Sequence, residues 1–161
     1  VPVMEAVRAA GKVRWIGVSS KLPEITRFIE WGVFDTFQIP YSALERAEER
    51  VVTAAARGGA GTIIRGGVAR GAPEEGGLGH RDRWATWEKA GLDELRVPGE
   101  TRTALLLRFT LSHPDLHTTI VGTLNPAHLT RNVQAAEAGP LPADVYTEAR
   151  RRLEAVGEKP A

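Results

Sequence analysis

The sequence predicts an α/β fold in which parallel strands are joined by helical crossovers. Three observations predict it. Short apolar runs alternate with longer stretches that carry apolar residues at helical spacing, the pattern of a parallel sheet with helices between its strands. The runs Ile63-Ile64 and Ile120-Val121 are continuous rather than alternating, as in strands buried on both faces. The residues directly after the runs are polar or glycine-rich, which is where open α/β sheets and α/β barrels alike place their ligands.

In chain order, Val1–Ala10 reads as the end of a helix stopped by Gly11, since glycine accepts the positive φ common just past a helix end. Val13-Arg14-Trp15-Ile16-Gly17-Val18 predicts a strand on its β-branched and aromatic content. Leu22, Ile25, Phe28 and Ile29 form one helical face, with Ser20 as its expected N-cap and Pro23 in its first turn. Thr36–Ile39 predicts a second strand, and a helix follows with Leu44, Val51, Val52 and Ala55 inward until Gly58-Gly59. Thr62–Ile64 is a third strand and Thr118–Val121 a fourth. Helices are expected around 104–112 and 126–138, and a last one carries Leu141, Val145, Ala149 and Leu153 at spacing four.

At 161 residues the chain has the length of about one domain. With 42% hydrophobic and 25% charged residues it has the composition of a globular protein rather than a disordered one. The net charge of +1 without a basic patch argues against nucleic-acid and membrane-surface partners. No apolar run is long enough to span a bilayer. Without cysteine the chain has no disulfide, thiolate metal site or cysteine nucleophile, and a reducing, cytoplasmic location is expected. The Val1-Pro2 start, with neither an initiator methionine nor a signal peptide, is what a fragment or a processed product is expected to show. An open doubly wound sheet and part of a (β/α)₈ barrel both fit the alternation. A whole barrel needs at least about 200 residues, so four strands in this length make a small open sheet or a half-built barrel.

The loops narrow the function. Gly122-Thr123 is expected to open a helix, where backbone N–H groups and the positive dipole end favour an anion. The loop after the third strand brings Gly66 and Gly67 for close backbone approach, with Arg65 and Arg70. If the third and fourth strands are the last two of a barrel, the two loops together predict a ligand bearing phosphate. No Walker loop and no Gly-x-Gly-x-x-Gly occurs, which argues against P-loop and Rossmann sites.

Three segments carry a family resemblance. Gly11-Lys12-Val13-Arg14-Trp15-Ile16-Gly17-Val18-Ser19 resembles the GK-(I/V)-R-x-(I/L)-G-V-S strand of the aldo-keto reductases. Gln38-Ile39-Pro40-Tyr41-Ser42 resembles that family's Q-x-x-Y-(S/N) strand end. The segment from Gly122 to Asn132 is similar to its final cofactor segment, G-(A/T)-x-N-x-x-x-L-x-x-N. The segments occur in the family's order, and the match covers nearly the whole chain but only the second half of the family's barrel. The resemblance therefore implies a parallel (β/α) barrel of TIM type, with residues 1–161 forming the C-terminal part of a single barrel domain and supplying about four of its strands.

The resemblance implies an NADP(H)-dependent oxidoreductase that reduces small aldehydes and ketones to alcohols. It places Ser19 and Gln38 on the nicotinamide carboxamide, with Ser20 where the family usually has Asn. Arg65 stands in the place of a Tyr or Trp stacked on the nicotinamide, and a guanidinium plane can also stack on a ring. Gly66, Val68 and Arg70 fall on the loop that covers the pyrophosphate. Gly122, Thr123, Leu124 and His128 fall at the adenosine 2′-phosphate, His128 replacing a commoner Arg or Gln. Arg131 replaces a usual Glu near the adenine, where pairing with the phosphate would favour NADP over NAD, and Asn132 matches directly.

The family's catalytic Tyr, Lys, Asp and His all lie upstream of the matching segment. Tyr41 and Tyr146 are the only tyrosines here, and neither carries the catalytic motif. The chain by itself is expected to bind cofactor with little or no reductase activity, and the alternative is a non-catalytic nucleotide-binding or interaction module. No metal site is expected from His80, His113 or His117, which lack helical spacing to a carboxylate. Trp84 and Trp87 suit helix packing or a substrate pocket, and Arg150-Arg151-Arg152 suits a solvated helix face. A half barrel leaves two open edge strands, so self-association through those edges is expected.

Overall fold

The computed structural model describes residues 1–72 and 81–161, with Arg81 and Asp82 described by backbone alone. His80 lies outside the described residues. The elements are α1 (Pro2–Ala9), β1 (Gly17–Ser19), α2 (Glu24–Glu30), β2 (Thr36–Pro40), α3 (Glu49–Arg57), β3 (Gly61–Arg65), α4 (Arg81–Lys89), a 3-10 turn (Leu92–Leu95), α5 (Arg102–Leu111), β4 (Thr118–Thr119), α6 (Pro126–Glu137) and α7 (Ala143–Ala155). The four strands form one sheet in the order β1-β2-β3-β4, and every pairing is parallel. Strands in sequence order with helical crossovers curl in one direction, as in a barrel, whereas a doubly wound sheet reverses its order at a switch point.

Side chains alternate across a strand, and here the alternation divides the sheet, apart from Pro40, which is buried at the end of β2. Phe37, Ile39, Thr62 and Ile64 are buried against the helices. Gly17, Ser19, Gln38, Ile63 and Arg65 are half-buried or exposed on the opposite face, which no element among the described residues covers. The helix side holds the core: Ile25 from α2, Val52 and Ala55 from α3, Leu105, Leu106 and Phe109 from α5, and Ala149 and Leu153 from α7. Burying one such aliphatic or aromatic side chain stabilises the fold by about 1.5–3 kcal/mol. Phe28, Trp31, Phe34 and Phe37 form a chain of ring contacts at 5.0 to 6.4 Å around α2 and β2.

Ion pairs fasten the helices. Arg46, with a side chain 0% exposed, donates from Nε to Glu49 at 2.7 Å and from Nη2 to Glu154 at 3.0 Å. Its Nη1 reaches the backbone oxygens of Arg150 and Glu158, so one buried guanidinium joins the start of α3 to α7. Arg152 bonds Glu94 and the Gly91 carbonyl, both at 2.8 Å.

Several expectations are corrected. The first strand begins at Gly17, not Val13, because β2 begins at Thr36, the register partner of Gly17. Residues before it have no ladder partner; Ile16 is instead bracketed by Asp35, whose carboxylate accepts from the Ile16 N–H and whose N–H donates to the Ile16 carbonyl, both at 2.8 Å. Pro23, not Ser20, is the N-cap of α2. The fourth strand ends at Thr119 with Ile120 50% exposed, since β4 is an edge with no strand beyond it among the described residues. Leu44 is buried but precedes α3, in a tight turn closed by Ser42 and Glu45. Arg150 and Arg152 are not a solvated face, because both pair with other elements; only Arg151, 67% exposed and paired within its own helix, fits that description.

Candidate functional site

The site is built at the C-terminal ends of the strands. Ser19 and Gln38 are direct register partners on β1 and β2, so their side chains stand together on the uncovered face. Ile63 pairs Gln38 from β3, and Arg65 lies two residues further along the same face. Arg65 is exposed, and its guanidinium has no partner among the described residues. Ser20 is half-buried, and its N–H donates to the Gln38 carbonyl at 3.2 Å.

The loop after β3 is wound tightly. Ala69 N–H bonds the Gly66 carbonyl at 2.8 Å and Gly71 N–H the Val68 carbonyl at 2.7 Å. Ala69 and Arg70 both have positive φ, 45° and 67°. Left-handed backbone in residues with a Cβ costs about 1–3 kcal/mol each and clusters at ligand sites. The surrounding structure holds it in place: Ala72 N–H bonds Thr103 Oγ1 at 3.3 Å, and Trp84 Nε1 donates to the Gly71 carbonyl at 3.1 Å. Gly67 is required by packing, because a Cβ there would stand 2.7 Å from Thr119 Oγ1 and 3.1 Å from Thr110 Cγ2.

Beside this loop lies a cavity of about 840 Å³. Val68 and Arg70 line one side, Thr101, Thr103 and Ala104 at the start of α5 another, and Gly122, Thr123, Leu124, His128, Arg131 and Asn132 the third. It therefore gathers most of the residues singled out on the last two loops. Ser19, Ser20, Gln38, Arg65 and Gly66 are not among its lining residues; they stand over the sheet itself. The α5 residues were missed by sequence reasoning, although Thr101 is a regular N-cap whose hydroxyl accepts from the Ala104 N–H at 3.1 Å.

The backbone donors differ from expectation in one respect. The first turn of α6 is satisfied internally: Pro126 has no N–H, Ala127 donates to Asn125 Oδ1 at 2.9 Å, and His128 donates to the Asn125 carbonyl at 3.0 Å. The N–H groups of Gly122, Thr123 and Leu124, just before the helix, have no partner among the described residues. Arg70 and Arg131 are exposed and make no ion pair with any described residue. A Cβ on Gly122 would meet nothing within 4 Å, and Leu124 is fully exposed. Two unpaired guanidinium groups, a histidine and three unused N–H groups around one cavity suit a polyanion.

Neither tyrosine is placed for acid chemistry at this end. Tyr41 is fully buried, and its hydroxyl lies 3.3 Å from that of Tyr146. Burial first, then the Tyr146 hydroxyl, push the Tyr41 pKa well above its ordinary value. Trp84 and Trp87 are buried and packed on each other at 5.3 Å. His117 accepts at Nδ1 from the Thr62 N–H, a structural bond. Among the described residues no cluster of His, Asp and Glu is placed to hold a metal ion, and no helix is long and apolar enough to cross a membrane.

Comparison with known proteins identifies the family. The sequence profile described as Aldo/keto reductase family matches residues 1–154. The chain belongs to the aldo/keto reductase family. Aldo-keto reductases are oxidoreductases that generally use NAD(P)H and act on small carbonyl compounds. The fold agrees: the chain is similar to the aldo-keto reductase AKR11C1 from Bacillus halodurans in its holo form, at 25% identity and a TM-score of 0.76, over 94% of this chain and 54% of that one. It matches the apo form of the same protein equally well, over 94% of this chain and 55% of that one. The chain thus spans about half the length of these solved aldo-keto reductases, which are TIM barrels. No curated protein matches the chain.

Proposed function

We propose that the chain forms the cofactor-holding part of an NADP(H)-dependent carbonyl reductase, as the C-terminal part of one barrel domain, residues 1–161, in the cytoplasm. The observation that carries the reading is the cavity before α6, lined by Arg70, Arg131 and His128 together with Gly122, Thr123 and Leu124, whose N–H groups have no partner among the described residues. A dinucleotide with a 2′-phosphate offers the charge this donor set lacks, and the cavity has the size of a ligand pocket.

When bound, the cofactor supplies the hydride. The residues of this chain bind and orient it. Ser19 and Gln38 would hold the carboxamide, since Gln38 offers both a donor and an acceptor and Ser19 a hydroxyl. The exposed guanidinium of Arg65 would lie against the nicotinamide ring. Gly66, Val68 and Arg70 would cover the pyrophosphate. His128 and Arg131 would hold the 2′-phosphate, with Asn132 near the adenine. Ser20 would contribute through its backbone bond to the Gln38 strand end.

Calorimetric titration of the purified chain with NADPH and with NADH tests the reading. The expected result is saturable binding that prefers NADPH and weakens about tenfold in Arg131→Ala or His128→Ala, the value of one charge-assisted hydrogen bond. A folded chain that binds neither cofactor overturns it.

The Tyr41–Tyr146 contact, in which Tyr41 is fully buried, favours a second reading for the chain on its own, a nucleotide-binding module without reductase activity. Turnover of a small aldehyde by the purified chain would refute that reading. The uncovered sheet face and the edges at β1 and β4 also support self-association, β1 of one copy pairing with β4 of another. Sedimentation that reports a monomer at all concentrations counts against it.

A further inference from the structure

A second groove, of about 420 Å³, lies between α3 and α7. Arg57, at the end of α3, leads into the first residue of β3, and His113-Pro114 lead into β4. Glu49 and Arg50 at the start of α3 also line it, so the groove runs the length of that helix; it shares no lining residue with the cavity before α6, and nothing in the proposed function uses it.

Its walls follow from helix periodicity. Arg50, Thr53, Ala54 and Arg57 recur at spacings of three, one and three, which is a single face of α3. Tyr146 and Arg150 stand one turn apart on α7 and face it. Three guanidinium groups thus line one groove. Glu49 is the one carboxylate among the lining residues, and it is already taken, one oxygen by Arg46 Nε and the other by Arg150 Nη2, both at 2.7 Å. Arg50 donates to the backbone oxygen of Ala161 at 3.0 Å. Arg57 is exposed and has no partner among the described residues. The Tyr146 ring, with the Arg150 guanidinium 5.7 Å from its centroid, and Pro114 supply a flat apolar wall.

We propose that this groove is an anion-binding site that takes a phosphate monoester with a flat organic body. Arg57 and Arg50 grip the phosphate, Arg150 closes the third side, and the body lies against Tyr146 and Pro114. Arg57 has no counter-charge among the described residues and Arg150 shares the single Glu49 carboxylate with Arg46, so an added anion relieves the repulsion between these cations, and guanidinium groups match phosphate geometry in two-point contacts. The Thr53 hydroxyl is committed to Asp115 Oδ2 at 2.7 Å, so it fixes the wall rather than the ligand.

The test is an amide NMR titration of the purified chain with phenyl phosphate at low salt. The expected result is saturable shifts confined to 50–57, 113–114 and 146–150. Arg50→Gln and Arg57→Gln together weaken binding by about tenfold or more, on the strength of charge-assisted hydrogen bonds, while Arg131→Ala leaves it unchanged. Both replaced arginines are exposed helix positions, and glutamine is a good helix former. Phenol in place of phenyl phosphate supplies an independent readout on the unaltered chain: it is expected to leave these amides unmoved. Shifts only at 122–132, equal shifts with phenol, or groove binding that survives the double replacement would each overturn the proposal. The two sites are read through separate amides, so failure here leaves the cofactor reading standing.

Discussion

The two faces of the sheet differ in what they hold. On the helix side Ile39, Thr62 and Ile64 are 0% exposed and Phe37 is 3% exposed. On the other side Ser19 and Arg65 are exposed and Gln38 is half-buried. The same short strands supply both faces, because neighbouring residues point to opposite sides. The difference teaches that stability and ligand chemistry occupy alternate positions. One set of residues anchors the strands to helices, and the other is left polar and uncovered, with the strand ends carrying the site.

The largest effect should come from the covered face. Phe37→Ala removes a ring packed on Phe34 at 6.0 Å within the aromatic chain. It should cost about 3–5 kcal/mol in urea denaturation, the usual range for losing a core aromatic. A loss below about 1 kcal/mol, the typical size of a single-residue change, would break the comparison by showing that the helices do not anchor the sheet through this face.

A smaller effect separates two glycines of the site loops. Gly67→Ala forces a Cβ toward Thr119 and Thr110, whose hydroxyl donates to the Gly67 carbonyl at 2.9 Å. It should destabilise the fold by about 1–3 kcal/mol, the range for overpacking. Gly122→Ala meets open space and should leave stability unchanged while weakening NADPH binding in calorimetry. If both variants lose stability equally, the Gly122 segment is packed against protein rather than held open for a ligand.

Much of this division was legible in the sequence. The β-branched and aromatic content of Thr36–Ile39 and Thr62–Ile64 located the central strands, and glycines marked the loops. The edges were not legible. Strand limits at β1 and β4 depend on where a partner strand begins, and no local propensity carries that: Val13 and Trp15 have strand chemistry yet stand exposed ahead of the ladder. The α5 wall of the cavity was missed because nothing in the local sequence sets Thr101 or Thr103 apart, and only the fold brings them to the same cavity as Arg70. The pairing of Arg150 with Glu49, 101 residues apart, is likewise invisible locally.

A weaker effect appears with pH. His113 is buried at the N-terminal ends of the strands and packs edge-on against Tyr41 at 5.2 Å. Burial lowers its pKa below the usual 6.5, against the opposing pull of Glu49 and Asp115, while Arg150 lowers it further. The unfolded chain therefore binds a proton that the folded chain resists. Stability should be unaffected by this group above about pH 7 and should fall as pH drops through 6.5 toward the folded-state value. His113→Gln should flatten that acid limb of thermal unfolding. An unchanged slope between pH 7.5 and about pH 5.5 would assign acid sensitivity to the carboxylates instead.

The smallest expected effect tests the uncovered face most directly. Gln38 flanks Phe37 and Ile39 in sequence but shares neither their burial nor their contacts. In a chain whose second face is open, Gln38→Ala should change stability by less than about 0.5 kcal/mol, as for surface substitutions generally. The same replacement should weaken NADPH, which the Gln38 amide would hold, so binding and folding should separate at one residue. The dilute and concentrated limits sharpen this further. If copies associate and close the sheet, Gln38 becomes an interior residue and its loss should cost more stability as protein concentration rises. A small effect at every concentration means the face stays open. A large effect at every concentration means that something within the chain already covers it, and the contrast between the two faces fails.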